Sequence, residues 1–366
     1  MTLTKPEIVQ SQFVAWMVPL LLSLIEGLTH FGVLHGDSSG YLSMVKFFRG
    51  TASPVEAQVV HWHGMLRPVV PLLALPLSFV VGYRDAIGIV NLGFALLGTA
   101  FTFLFARRLV DSTEAGFVSA VLFASAVPML AYGTAILTDG PGYAMVIVSL
   151  YCLLFVLEQK PNLQTAILSG IVVGIGLLTK ETVAIILVFL AIRYLLHRGK
   201  MRLGHVAIVF AISLGLALIW SYMVGFNYLM VYQGGLAFQG PGYKGALIVP
   251  RAFAISFVHA FYLALPFAFL AFFTIDNDRF KTVVELALSA LTLLVLWPTS
   301  PEGRLTFLTF PAILPLAALG IGQSAENLSS RPLLRVLNRR GWIILILIAA
   351  IIYTNYFTRR LYFRLP

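Results

Sequence analysis

Charged side chains are sparse in this chain, and several of them stand in short stretches that interrupt long apolar runs. "HGDSSGY" (35–41) carries Asp37, "AILTDGPGY" (135–143) carries Asp139, "GLLTKET" (176–182) carries Lys180 and Glu181, and "SPEGRLTF" (300–307) carries Arg304. A fifth stretch, "HWHGMLRP" (61–68), adds His61, His63 and Arg67. A carboxylate set beside an acceptor hydroxyl can take its proton as a general base. A guanidinium matches phosphate oxygens in bidentate fashion, and an ammonium or guanidinium stabilises a departing anion. Two carboxylates such as Asp37 and Asp139 can also share a divalent cation, since hard cations prefer oxygen ligands. The chemistry these types allow is transfer of a group to a hydroxyl with an anionic leaving group.

Each residue also has a plainer role. Asp37 precedes "SSGYLSMVKFF", where Tyr41, Met44, Val45 and Phe48 recur at helical spacing. That pattern predicts a short amphipathic interfacial helix with Lys46 on its wetter side, and an aspartate at such a start is a good cap. Tyr41 lies on the apolar face of that helix and is a further site candidate. Asp139 in "TDGPG" suits a turn or the start of a helix, or the orienting of an acceptor. Lys180 and Glu181 suit mutual pairing with snorkelling to the interface, or, for Lys180, neutralising a phosphate. Arg304 suits snorkelling or an anionic lipid head group. His61 and His63, two apart, share a face in an extended strand and not in a helix; hydrogen bonding or phosphate contact is favoured over zinc, which needs more ligands. Glu26 and His30 stand one helical turn apart at membrane depth, where an ionisable residue signals function by default, or they pair with each other. Gly170 and Gly174 form a small-xxx-small spacing that predicts close helix packing.

The elements that must position these residues are membrane helices. Of 366 residues, 59% are hydrophobic and only 11% charged, against about 25% charged in soluble domains. The net charge of +10 has no basic patch interleaved with aromatics in a soluble segment, which argues against a nucleic-acid partner and for cytosolic topology signals and anionic lipids. The lone Cys152 excludes a disulfide within the chain. The run from Phe13 to Leu34 exceeds a secretory h-region and reads as a retained anchor. Spans of the length a bilayer requires fall near 13–34, 86–106, 116–137, 142–157, 163–179, 182–196, 203–225, 248–273, 283–297, 305–322 and 342–357. The spans near 142–157, 182–196, 283–297 and 342–357 are short for a full crossing.

"RPVVPLLALPLSFVVG" (67–82) carries three prolines in 16 residues, and proline removes a helix hydrogen bond. It reads as an interfacial or re-entrant piece. With the N-terminus in the cytosol, the loops bearing Arg107–Arg108, Lys160, "RYLLHRGKMR", "DNDRFK" and "SSRPLLRVLNRR" then face inward, in keeping with the positive-inside rule. Asp37, Asp139, Lys180–Glu181 and Arg304 all face outward. The expected architecture is an all-α polytopic membrane protein: a single transmembrane domain over 1–366 of about eleven helices, interfacial helices in a first outer loop at 35–82, and no soluble domain.

The order of "GDSSGY", "RPVVPLLALPLSFVVG", "ARRLV", "AVPMLAYGTAILTDGPG", "GIVVGIGLLTKET" and "EGRLTFLTFPAILPLAALG" resembles the GT-C glycosyltransferases. Protein O-mannosyltransferases and lipid A aminoarabinose transferases are the nearest in pattern, and the resemblance runs from about residue 13 to residue 320. It implies a GT-C-type bundle that takes a sugar from a polyprenyl-phosphate carrier, of undecaprenyl or dolichyl type, on the extracytoplasmic face. It further implies that Asp37 corresponds to an essential acidic residue of the first outer loop and Asp139 to a second acidic site. Arg67 corresponds to a basic residue before proline. Here Ser38 follows Asp37, where many relatives have Asp-Glu.

The expected function is therefore sugar transfer to an acceptor hydroxyl of a protein, lipid or glycan in the plasma (inner) membrane. Asp37 is the base, inversion is expected, Arg67, Lys180 and Arg304 neutralise the carrier phosphate, and Asp139 and Glu181 position acceptor or metal. No cofactor is required by the residues, though a divalent metal at Asp37 and Asp139 fits the chemistry. Two other classes compete. A transporter or flippase favours internal repeats and broken helices at the midplane; only "GPGY" at 140–143 and 240–243 recurs. A non-catalytic envelope scaffold is the third.

Overall fold

In lipid every backbone N–H and C=O needs a partner within the protein, so apolar runs of this kind fold as helices. The computed structural model describes residues 5–63, 65–197, 201–225, 258, 260–296 and 303–362, and among these every regular element is a helix or helical turn. In chain order they are α1 (Lys5–Thr29), α2 (Ser38–Phe48), α3 (Pro54–His63), α4 (Val69–Val81), α5 (Tyr83–Val110), α6 (Thr113–Ala124) and α7 (Asp139–Cys152). They continue with α8 (Leu163–Thr179), α9 (Ile185–Leu196), α10 (Leu203–Met223), α11 (Ala264–Phe272), α12 (Asn277–Leu296), α13 (Phe310–Ser330) and α14 (Arg339–Tyr362).

Five helices among the described residues are long and apolar enough to cross a membrane: Tyr83–Val110, Asp139–Leu157, Leu203–Met223, Thr306–Ser330 and Arg339–Arg360. Phe13–Thr29, Val69–Val81, Thr113–Ala124 and Leu163–Thr179 are apolar but shorter. Three of the spans expected to be short are longer than their apolar runs, and one of them, α12, starts at Asn277 rather than near 283. α7 begins at Asp139 and runs on through a π turn, Leu153–Leu157, and α14 takes in arginines at both ends. The span expected at 116–137 is instead cut. α6 stops at Ala124: Pro128 has no N–H to donate to the Ala124 carbonyl four residues back, so the helical ladder is interrupted there. A π turn (Met129–Gly133) and a bend (134–138) then complete the way to α7. The span expected at 248–273 falls mostly outside the described residues, with α11 its described part.

The proline-bearing segment 67–82 forms α4, 13 residues long, about 20 Å at 1.5 Å per residue. That is too short for a hydrocarbon core of about 30 Å. α2 buries Tyr41, Met44 and Val45, the stripe read from its spacing, and Met44 packs with Val60 and Met65. Lys46 pairs with Glu56 of α3 at 2.5 Å. α8 and α10 approach closely: a Cβ on Gly170 or Gly174 would press into Ile212 or Leu216, which is the packing their spacing predicts.

The bundle has two chemically distinct ends. One gathers the connections that carry Asp37, Arg67, Asp139, Lys180, Glu181 and the 3-10 turn Gly303–Thr309. The other holds the basic connections. There Arg193 of α9 binds Glu158 at 2.8 Å and Glu285 of α12 at 2.7 Å, and His197 reaches Glu285 at 2.6 Å. Arg339 binds Glu114 at 2.6 Å at the same end.

Candidate active site

The site is assembled on breaks in helices. Lys180 follows α8 in extended backbone (φ −161°, ψ 134°), and Glu181 opens a 3-10 turn. Side chains along extended backbone alternate in direction, so the two do not pair with each other. Lys180 Nζ donates to Asp139 Oδ1 at 2.7 Å. Glu181 turns the other way and accepts both Nε (2.6 Å) and Nη2 of Arg67. Arg67 Nη1 also donates to the Tyr41 hydroxyl at 2.6 Å, and that hydroxyl lies 2.9 Å from Thr138 Oγ1. Residues from the first loop, the bend before α7 and the α8–α9 connection thus form one polar network.

The glycines of "TDGPG" have a use beyond turning the chain. A Cβ on Gly142 would strike the aliphatic stem of Lys180, and one on Gly140 would strike the Gly133 carbonyl. Their absence lets Lys180 lie across the start of α7 and reach Asp139. A small cavity opens beside this pair, lined by Asp139, Lys180 and Thr182 on its polar side and by Tyr143, Val146, Phe307 and Leu308 on its apolar side. Tyr143 is held by Thr102 at 2.9 Å and packs against Phe123, Phe307 and Phe310.

Electrostatics follow from this pairing. Burial alone would raise the Glu181 pKa, but the charges of Arg67 and Lys180 outweigh it and hold the carboxyl below its ordinary value. Burial likewise works against the Arg67 charge, and Glu181 overrides it, so Arg67 stays protonated. The two cations and two carboxylates balance. Lys180 has three N–H donors and lends one to Asp139; Arg67 has five and lends three, to Glu181 and Tyr41. Lys180 lines the cavity and Arg67 does not.

Asp37 sits at the N-cap position of α2, but with helical backbone (φ −81°, ψ −7°) and no side-chain capping bond. Ser38 Oγ instead accepts from the His35 amide at 2.8 Å. Asp139 is tied to Lys180 rather than to a turn. With an ammonium against it, Asp139 does not fit a divalent cation shared with Asp37, and the described residues hold no group of three His, Cys, Asp or Glu side chains suited to a metal. α3 is helical through His63, so His61 and His63 do not share a face as an extended strand would require; their side chains lie outside the described residues. The Arg304 side chain does too, although its 3-10 turn delivers Phe307 and Leu308 to the cavity. Glu26 and His30 approach to 4.0 Å, and Glu26 also accepts from Asn355 of α14 at 2.8 Å, away from the cavity-lining residues.

Sequence reasoning missed Thr138 and Asn91. Thr138 adjoins Asp139 and carried no signal of its own. Asn91 did: it is the one amide in the apolar run "AIGIVNLGFALLG", and polar residues at membrane depth usually have a task.

Three comparisons bear on this arrangement. Residues 68–224 match the family described as dolichyl-phosphate-mannose-protein mannosyltransferase. The fold matches ArnT from Cupriavidus metallidurans in the apo state with a TM-score of 0.61 at 14% identity, over 96% of this chain and 73% of that one. The same enzyme bound to undecaprenyl phosphate matches with a TM-score of 0.57 at 15% identity, over 95% and 72%. The archaeal oligosaccharyltransferase AglB from Archaeoglobus fulgidus, in complex with an inhibitory peptide and a dolichol-phosphate, matches with a TM-score of 0.58 at 12% identity, over 95% of this chain but 55% of that one. No curated protein matches in sequence at a significant level. The chain has the fold of the GT-C membrane glycosyltransferases.

Proposed function

We propose that this protein is a membrane glycosyltransferase that takes a sugar from a polyprenyl-phosphate carrier and places it on an acceptor hydroxyl at the extracytoplasmic face. The observation that carries this reading is the Lys180–Asp139 pair, buried at one end of the bundle beside a cavity with an apolar wall. A lipid phosphate needs that combination: a cation for its head and hydrocarbon for its tail. The family match over 68–224 and the solved relatives with undecaprenyl or dolichol phosphate support the carrier class. The orientation rests on charge: Arg107, Arg108, Arg193, Arg331, Arg335 and Arg339 fall at the opposite end, as cytosolic loops should.

In this reading Asp37 takes the proton of the acceptor hydroxyl. The acceptor oxygen attacks the anomeric carbon from the face opposite the phosphate, the carbon–oxygen bond to phosphate breaks, and the carrier phosphate leaves with both electrons. Inversion follows. Lys180 receives the developing charge through its remaining donors, with Arg304 from the turn that faces it. Arg67 keeps a second positive charge close by while holding Glu181 and Tyr41. Asp139 aims the ammonium. Displacement through these residues uses no metal.

The test is purified protein in lipid with radiolabelled polyprenyl-phosphate sugars, wild type against Asp37→Asn, with and without a chelator. Carrier binding by both proteins with transfer by wild type alone, unaffected by chelation, is expected. Equal transfer by the two would remove Asp37 from the chemistry, and retained anomeric configuration would remove the single displacement. No turnover of any carrier would favour a transporter or scaffold.

A further inference from the structure

The buried connection between α6 and α7 poses a problem of backbone accounting. Residues 125–139 are buried throughout except Tyr132, yet 134–138 is bend, without a helical hydrogen-bond ladder. Irregular backbone at membrane depth survives only where other groups satisfy it. Asn91, fully buried on α5, supplies two of the partners: its Nδ2 donates to the carbonyls of Ala135 (2.5 Å) and Leu137 (2.9 Å). Its amide oxygen has no partner among the described residues, so the donor half accounts for its placement. Reversing the amide would set that oxygen against two carbonyls.

The bend held in this way touches both halves of the site. At its far end are Thr138, which meets the Tyr41 hydroxyl, and Asp139, which meets Lys180. On its other side the Ile136 amide donates to Val33 O at 2.9 Å, Thr134 Oγ1 reaches His30 O at 3.3 Å, and His35 Nε2 lies 2.9 Å from Ala131 O. The chain from His30 to His35 leads directly into Asp37. The stretch carrying Asp37 and the turn carrying Asp139 are therefore sewn to one piece of backbone; among the described residues Asn91 supplies the side-chain hydrogen bonds from α5 to that bend, while Arg84 of α5 bonds Gly32 O of the Asp37 stretch at 2.9 Å.

We propose that Asn91 is a positioning residue: by clamping the 134–138 bend to α5 it sets the distance between the Asp37 and Asp139 halves of the site. It touches no substrate, and its role in turnover rests on the transferase reading above. Nothing in a plain packing role requires an amide here, since the rest of this face of α5 is aliphatic, aromatic or hydroxyl-bearing.

The experiment compares wild type with Asn91→Leu, which keeps the heavy-atom count and branching though not the volume and removes both donors, and with Asn91→Ser, a smaller side chain for use if the leucine variant does not fold. Hydrogen–deuterium exchange is followed in peptides covering 130–140 and 30–38, and transfer kinetics are measured on the monodisperse fraction. The expected result is exchange raised about tenfold or more in both stretches, the scale set by buried carbonyls left without donors, with α8–α10 peptides unchanged. Turnover should fall by about the same factor with KM for the carrier lipid within about twofold, as loss of alignment rather than of binding. Unchanged exchange at 130–140 in the folded variant, or an equal rise across the whole bundle, would overturn the proposal. If wild type turns over no carrier, the transferase reading fails and the exchange pattern still decides whether Asn91 holds the bend.

Discussion

The two ends of this bundle each carry a network of buried charge, and they are built differently. At the basic end, Arg193, Glu158, His197, Thr282 and Glu285 meet across α9, the end of α7 and α12. Glu285 is 1% exposed, Arg193 7% and Glu158 11%, with His197 at 20% on the rim, and none of them lines a described cavity. At the other end, Tyr41, Arg67, Thr138, Asp139, Lys180 and Glu181 come from helix termini and connections. Arg67 and Glu181 keep 23% and 27% of their side chains exposed, and Asp139 and Lys180 face a cavity. Charge buried among helices acts as a rivet, because removing one partner strands the other in low dielectric. Charge set on breaks in helices beside open space is placed to exchange partners, and this is the property a transfer site needs.

Breaking each network in turn should separate the two roles. The largest effect is expected at Lys180→Met: about 100-fold or more off the rate of transfer, the scale for removing a preorganised charge from a developing anion. Steady-state transfer at saturating carrier would check it. Arg193→Met should do the reverse, lowering stability by roughly 3–5 kcal/mol while the molecules that remain folded keep their turnover; thermal melts alongside activity per folded molecule distinguish these. Arg67→Lys keeps the charge but cannot hold Glu181 and Tyr41 together. About a tenfold loss of transfer is expected, and a drop of less than twofold would show that the fork is dispensable.

Acid sharpens the comparison further. Glu181 has a folded pKa held below its ordinary 4.5 by Arg67 and Lys180. The stability this gives is complete above that value and is lost as pH falls through the folded pKa beneath it. Melting midpoints of wild type should therefore drop more steeply below pH 4.5 than those of Glu181→Gln. The smallest effect belongs to the half-exposed surface pair Lys46–Glu56. The Lys46 ammonium holds Glu56 down to about 2, yet exposed pairs contribute little. Glu56→Gln should leave transfer unchanged and the melt nearly so.

Much of this was legible in the sequence because membrane proteins write their rules in composition. Apolar runs and the buried stripe of α2 carry their physics locally. The convergence of Asp37, Arg67, Asp139, Lys180 and Glu181 on one end follows from counting spans and reading charge, even though the bounds of those spans shifted. Who pairs with whom was not legible. Lys180 and Glu181 are neighbours in sequence and point apart, because one extended residue between two helices reverses the direction of a side chain. Asn91 shows the same limit: an isolated amide announces a task, but its partners lie 44 and 46 residues away, on a bend that only the folded bundle defines.

Arg67 and Glu181 are separated by 114 residues, and that spacing has a consequence for how the protein is made. A chain leaving the ribosome at about 5–20 residues per second delivers Glu181 roughly 6–23 s after Arg67. Through that interval the first loop has its guanidinium but not the carboxylate that fixes it. The Arg67 fork is completed only when α8 has been inserted and Glu181 emerges, so a nascent chain stalled before residue 181 would hold the loop by its bonds to the 131–138 stretch but without this ion pair.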